Sequence, residues 1–159
     1  MTNSPYRVLC VCLGNICRSP TAEVILQQHA QAAGLALDVD SAGTSNYHPN
    51  KAPDPRTQKH AQAYGYDLSN LRARQVQLDD FENFDLILAM DETNLTDLKV
   101  LSKQLTDQNK TIKAKLALMS EHCDTYPKQA VPDPYYGEAD GFKRVIEQCE
   151  RAAQAWVKY

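Results

Sequence analysis

No stretch of this sequence approaches the roughly 20 consecutive apolar residues that a membrane-spanning helix needs, so no membrane association is expected. Basic charge is not in excess either: 17 Lys and Arg against 20 Asp and Glu leave a net charge of −3. No broad positive field invites nucleic acid, and any anion site must be local. The opening residues, MTNSPYRVLC, lack the basic head, apolar stretch and small-residue cleavage site of a secretory signal, which makes the cytoplasm the expected compartment. The four histidines, His29, His48, His60 and His122, are scattered, and none pairs with a cysteine or carboxylate at a zinc spacing; neither a metal nor another cofactor is expected. The five cysteines (Cys10, Cys12, Cys17, Cys123 and Cys149) are odd in number, which in a reducing compartment argues against a disulfide framework. Repeats, low-complexity tracts and linkers are missing. A chain of 159 residues suits one domain with a proper core, taken as residues 1–159.

What is present alternates between two patterns. YRVLCV (6–11) is apolar and β-branched, bounded by Pro5 and Gly14, and predicts a buried strand. From Arg18 to Ala33 the pattern turns helical, with Pro20 in the first turn and Gly34 as the stop. A second strand is expected over 35–43, then a polar loop over 44–53. A helix follows with Asp54 as N-cap, Pro55 at N1 and Gly65 at its end. FDLILAM (84–90) predicts a third strand and 91–105 an amphipathic helix with Leu95, Leu98 and Leu101 or Leu105 inward. A fourth strand is expected over 112–119. After a proline-rich loop a last helix carries the stripe Val145, Cys149, Ala152 and Trp156. This alternation predicts a single-domain α/β fold, a three-layer sandwich of a four-stranded parallel sheet with helices on both faces. Ligands of such sheets bind at the carboxyl ends of strands.

The segment VCLGNICRSPTAE (11–23) occupies that position after the first strand. Cys12, five residues, Arg18 and Ser19 form a C-x5-R-S pattern. Residues wrapped at a helix start can turn their N–H groups toward one point, with the positive end of the helix dipole behind them. Gly14 and Asn15 are the residue types that most readily take the positive φ such a wrap needs. Arg18 adds a planar fork that matches two phosphate oxygens. The loop Leu13, Gly14, Asn15, Ile16, Cys17, Arg18 and Ser19 is therefore the candidate phosphate site. A thiol there ionises readily: cysteine titrates near about 8.5, and helix N-termini with nearby cations bring it to roughly 3.5–7.5. Cys12 is the candidate nucleophile, and Ser19 can donate a hydrogen bond to its sulfur. The alternative is a plain strand-to-helix turn in which Cys12 and Cys17 are small core residues. Cys17 can also pair reversibly with Cys12 as a redox switch, or serve only as a buried thiol.

VLCVCLGNICRSPTAE, DSAGTS, PDPR, ARQV, FDLILAMDETNLTDL and VPDPYYG together resemble the low-molecular-weight protein tyrosine phosphatases, in order and over nearly the whole chain. The resemblance implies a four-stranded parallel sheet in strand order 2-1-3-4 with flanking helices, no metal, and a two-step mechanism through a phosphocysteine. It makes Asp133 the general acid and later the base; read alone, an Asp between prolines is a turn former. Tyr135 and Tyr136 follow directly. With Tyr47, which matches a position where the family commonly carries a bulky aromatic, they are the candidate walls of a slot for a phenyl ring. His48 either touches substrate or is solvated. Asn15 and Ser41 match positions that brace the loop, and Asp91 is either a partner of the site or a helix cap. The implied substrate is a phosphotyrosine protein, with an opposing tyrosine kinase as a further candidate partner and a monomer or weak dimer as the assembly.

Two departures stand out. Leu71 occupies a position where relatives often carry a histidine that supports the loop through Asn15, so that hydrogen bond is lost or supplied elsewhere. Asn46 stands where an acidic residue is common. Three rival functions share parts of the pattern. A thiol-dependent arsenate reductase needs relay cysteines beyond the third strand, and residues 79–100 hold none. A phosphoarginine phosphatase tends to carry threonine where this chain has Ile16. A non-catalytic phosphotyrosine-binding module does not need both Cys12 and Asp133.

Overall fold

The structure, a computed structural model, describes residues 5–132 and 139–158. Nine elements follow in order: β1 (Tyr6–Cys12), α1 (Arg18–Ala32), β2 (Leu37–Gly43), α2 (Pro55–Ala63), α3 (Asp80–Asn83), β3 (Leu86–Ala89), α4 (Glu92–Asp107), β4 (Lys115–Leu118) and α5 (Ala139–Trp156). The four strands form one parallel sheet in the order β2-β1-β3-β4, as expected.

Side chains on successive strand residues point to opposite faces, and the apolar runs of β1 and β3 fill both. Val8, Cys10, Cys12, Leu86 and Leu88 join Ala22, Ile25 and Leu26 of α1 and Val145, Ile146 and Cys149 of α5 in one core. Leu9, Val11, Ile87 and Ala89 join Leu95, Leu98 and Leu105 of α4 with Phe81 and Phe84 in the other. Leu105 is buried, and Leu101 packs only partly against that core.

Three strands are shorter than their apolar runs. β3 pairs with β1 only from Val8↔Leu86 to Val11↔Ala89, and β4 matches that four-residue ladder from Lys115 to Leu118. Phe84 instead terminates α3, and the Asp85 carboxylate takes the Arg7 amide at 2.9 Å. β2 starts at Leu37, which pairs with Tyr6, rather than at Leu35. The helix α3 is too short to show a 3.6-residue period and was not expected from the sequence.

β1 is followed by β2 on one side, while β3 lies on its other side. The carboxyl ends of β1 and β3 therefore form the switch point at which such sheets leave a crevice.

Candidate active site

β1 ends at Cys12 and α1 begins at Arg18, so the C-x5-R segment is the whole connection between them. Asn15 takes the left-handed conformation (φ 58°), while Gly14 does not. A Cβ at Gly14 would lie 3.2 Å from the His48 ring, which would have to shift slightly to admit it. At Gly43, the end of β2, a Cβ would lie 2.6 Å from the Leu13 carbonyl. Neighbouring backbone ties the loop's carbonyls outward. Thr44 donates to Cys12 O at 2.9 Å, Ser45 to Leu13 O at 3.0 Å and Asp54 to Ile16 O at 2.8 Å. Asp54 also caps α2 through Arg56 N.

The Cys12 sulfur is buried and receives the Asn15 amide at 3.2 Å; Ser19 Oγ lies 3.0 Å away. Asn15 Nδ2 donates to Ser19 Oγ at 2.8 Å and Ser41 Oγ at 3.0 Å, and Asn15 Oδ1 accepts the Arg74 amide at 3.0 Å. Every polar atom of that side chain is thus engaged without a histidine. Leu71 packs against the apolar core instead, and the brace is supplied by Arg74 and Ser41. Arg18 is 3% exposed; its Nη1 donates to Asp91 Oδ2 at 2.6 Å and to Val131 O at 3.2 Å. Asp91 Oδ1 accepts Asn94 N at 2.7 Å and caps α4, so one carboxylate both caps that helix and pairs with Arg18.

Asp133, Tyr135 and Tyr136 lie outside the described residues. The segment leading to them is anchored over the end of β3: Val131 N donates to Met90 O at 2.7 Å. Gln148, fully buried on α5, donates to the carbonyls of Gln129 and Ala130 and to Ser120 Oγ. Tyr47 stands 71% exposed in the loop after β2. Cys17 is buried apart from Cys12, in a small cluster with Ile16, Ala73 and Phe142. Burial pushes the Cys149 thiol up to about 12 and that of Cys10 well above its usual value, so both stay protonated core thiols. Among the described residues no group of three His, Cys, Asp or Glu could hold a metal ion, and no helix is long and apolar enough to cross a membrane.

Sequence reasoning missed Glu23, Arg74, Gln148 and Gly43. Glu23 had a signal: it lies four residues beyond Ser19, on the same helical face. Arg74, Gln148 and Gly43 act through backbone or through distant segments, which spacing does not reveal.

The family model of the low molecular weight phosphotyrosine protein phosphatases matches residues 7–159. The chain belongs to that family. The low molecular weight phosphotyrosine protein phosphatase of Pongo abelii is 41% identical to it over 157 residues, 98% of this chain and 96% of the relative. Among solved structures, the protein tyrosine phosphatase from Entamoeba histolytica superposes with a TM-score of 0.85 at 38% identity, covering 96% of this chain and 95% of the other. An arginine phosphatase from Drosophila superposes with a TM-score of 0.84 at 30% identity, each chain covered to 95%. This member of the family is accordingly an enzyme, a hydrolase of the phosphatase kind.

Proposed function

We propose that this phosphatase hydrolyses phosphotyrosine in proteins through a phosphocysteine on Cys12. The observation that carries the reading is the Cys12 sulfur at the strand end, holding the Asn15 amide at 3.2 Å and Ser19 Oγ at 3.0 Å, in the loop that Arg18 closes. Arg18 and the amides of residues 13–18 bind the phosphate oxygens. The Cys12 thiolate attacks phosphorus in line, the bond from phosphorus to the tyrosine oxygen breaks, and Asp133 gives that oxygen a proton. Water then attacks the phosphocysteine and hands its proton to Asp133, and the P–S bond breaks to return the thiolate. The sum is ester plus water to phenol plus phosphate. Positioning and charge stabilisation supply most of the acceleration.

Tyr47, Tyr135 and Tyr136 are assigned to the walls that take the phenyl ring, and one domain spanning residues 1–159 carries the activity. An opposing tyrosine kinase, a monomeric or weakly dimeric state and a cytoplasmic location complete the proposal. The set of buried thiols supports a reducing compartment.

A second reading, hydrolysis of phosphoarginine, is favoured by the likeness to the Drosophila arginine phosphatase. Ile16, buried in the loop, favours tyrosine. The deciding experiment compares turnover of para-nitrophenyl phosphate, a phosphotyrosyl peptide and a phosphoarginyl peptide at mildly acidic pH. We expect the first two to be hydrolysed and both activities to vanish in Cys12→Ser. Preference for phosphoarginine, or turnover that survives Cys12→Ser, overturns the proposal. Tight phosphopeptide binding without turnover would make the chain a binding module.

A further inference from the structure

The hydrogen bonds around Cys12 do not stop at Ser41. Ser41 Oγ donates to Glu23 Oε1 at 2.6 Å, and Glu23 lies on α1 one turn beyond Ser19, with no part in the catalytic scheme. Proton counting gives the direction of every link. Asn15 Nδ2 has two protons, one for Ser19 Oγ and one for Ser41 Oγ. Turning the amide over would set its NH2 against the Arg74 N–H, which now donates to Oδ1. Both serine oxygens therefore accept from Asn15, and each serine's one proton must point elsewhere. That of Ser41 goes to Glu23. That of Ser19 has the Cys12 sulfur at 3.0 Å and the Ala42 carbonyl at a longer 3.4 Å.

We propose that Glu23 is a positioning residue for the nucleophile: by accepting the Ser41 proton it keeps Asn15 a double donor and so aims the Ser19 hydroxyl at the Cys12 sulfur. The inference rests on Cys12 being the nucleophile. Glu23 differs from the surface acids of the chain in being largely enclosed. It is faced by Asp38 and Asp40 on β2, by Cys10 on β1 and by Arg74 in the segment before α3. Burial raises its titration to about 7, the Ser41 bond opposes that, and Asp40 adds to it. Below that point the group is a neutral acid, a weaker acceptor that can itself donate to Ser41 and contest the direction of the chain. Above it the carboxylate takes the Ser41 proton unopposed.

The test follows alkylation of Cys12 by iodoacetamide in the full-length protein, read by mass spectrometry of the peptide carrying that residue, across the pH range. The wild type should show a step near the Glu23 titration. Glu23→Gln, whose amide oxygen accepts at every pH, should lose that step and keep its rate within about threefold. Glu23→Ala and Ser41→Ala should each slow alkylation about tenfold in mildly alkaline buffer, above the Glu23 titration, where the wild-type carboxylate holds the Ser41 proton, and the double variant should be no slower than either single one. A wild-type curve in Glu23→Ala, equal losses in the Gln and Ala variants, or additive losses in the double variant would overturn the proposal. If Glu23→Ala does not fold, presence of the step in the wild type and its absence in Glu23→Gln decide the matter. Alkylation reads the thiol whether or not phosphate esters are turned over. A failed relay and a failed catalytic assignment therefore give different results: the first shows in these curves, the second as turnover surviving in Cys12→Ser.

Discussion

Two thiols share one loop, and the fold gives them different neighbours. The sulfur of Cys12 sits among hydrogen bonds at the end of β1, whereas Cys17 packs on Ile16, Ala73 and Phe142 beside a small crevice lined by Thr21, Thr57, Val145 and Ile146. A disulfide needs the two sulfurs about 2 Å apart, and no such bond joins Cys12 and Cys17 here, so its formation requires them to move together. Hydrogen peroxide can drive the oxidation: two thiols give up two protons and two electrons as the S–S bond forms, and the peroxide O–O bond breaks to give two waters. We expect peroxide to inactivate the enzyme and a dithiol to restore it. Cys17→Ser should be inactivated too but recover poorly, because a sulfenic acid on Cys12 with no partner is oxidised further, beyond the reach of thiols. Recovery of phosphatase activity, followed after peroxide treatment, checks this. Equal recovery in both proteins would leave Cys17 a packing residue.

At the scale of elements, Asp91 joins the start of α4 to Arg18 at the end of the loop after β1. One carboxylate oxygen caps the helix through Asn94 N, and the other takes Arg18 at 2.6 Å. Substitutions separate the two duties. Asp91→Asn can still cap, since Asn is as good an N-cap as Asp, but it gives Arg18 a neutral partner. Urea unfolding should therefore show a loss below about 1 kcal/mol, while kcat/KM for para-nitrophenyl phosphate falls severalfold as Arg18 is held less firmly. Asp91→Ala should lose about 1 kcal/mol more, with a similar or deeper loss of activity. If stability and activity fell together in both variants, the cap alone would explain Asp91. Position and residue type made this residue legible in the sequence, as they did Asp54. The length of β3 was not legible, because a ladder extends only as far as its partner strands. The left-handed backbone of Asn15 could be read from its residue type, whereas Gly14 does not take the positive φ expected of it, and a Cβ there would press on the His48 ring at 3.2 Å.

At the scale of the whole molecule, the site was legible where one segment holds it and illegible where several do. Cys12, the proposed nucleophile, lies with Arg18 and Ser19 within eight consecutive residues, and the strand–loop–helix pattern expected there is the one observed. Arg74 and Gln148 come from other segments, and Glu23, one turn beyond Ser19 on α1, enters the network only through Ser41 of β2, which the folded sheet sets beside it. Glu23 also ties the site to global stability. Its titration rises from 4.5 to about 7 on folding, with burial as the main cause. A group raised in this way favours the folded state in full below its unfolded value and gives up that contribution as pH climbs through its folded value. Shifted by a little over two units, it withdraws at most about 3 kcal/mol between mildly acidic and mildly alkaline conditions. Glu23→Gln carries no such dependence and can still accept the Ser41 proton. Relative to wild type, this variant should gain stability as pH rises from about 4.5 to about 7, and the difference should level off above that. Urea unfolding of both proteins at about pH 5 and about pH 8 measures it. A stability difference that stays constant across that interval would mean Glu23 ionises in the folded protein as it does in the unfolded chain, and that its enclosure between α1 and β2 is too slight to matter.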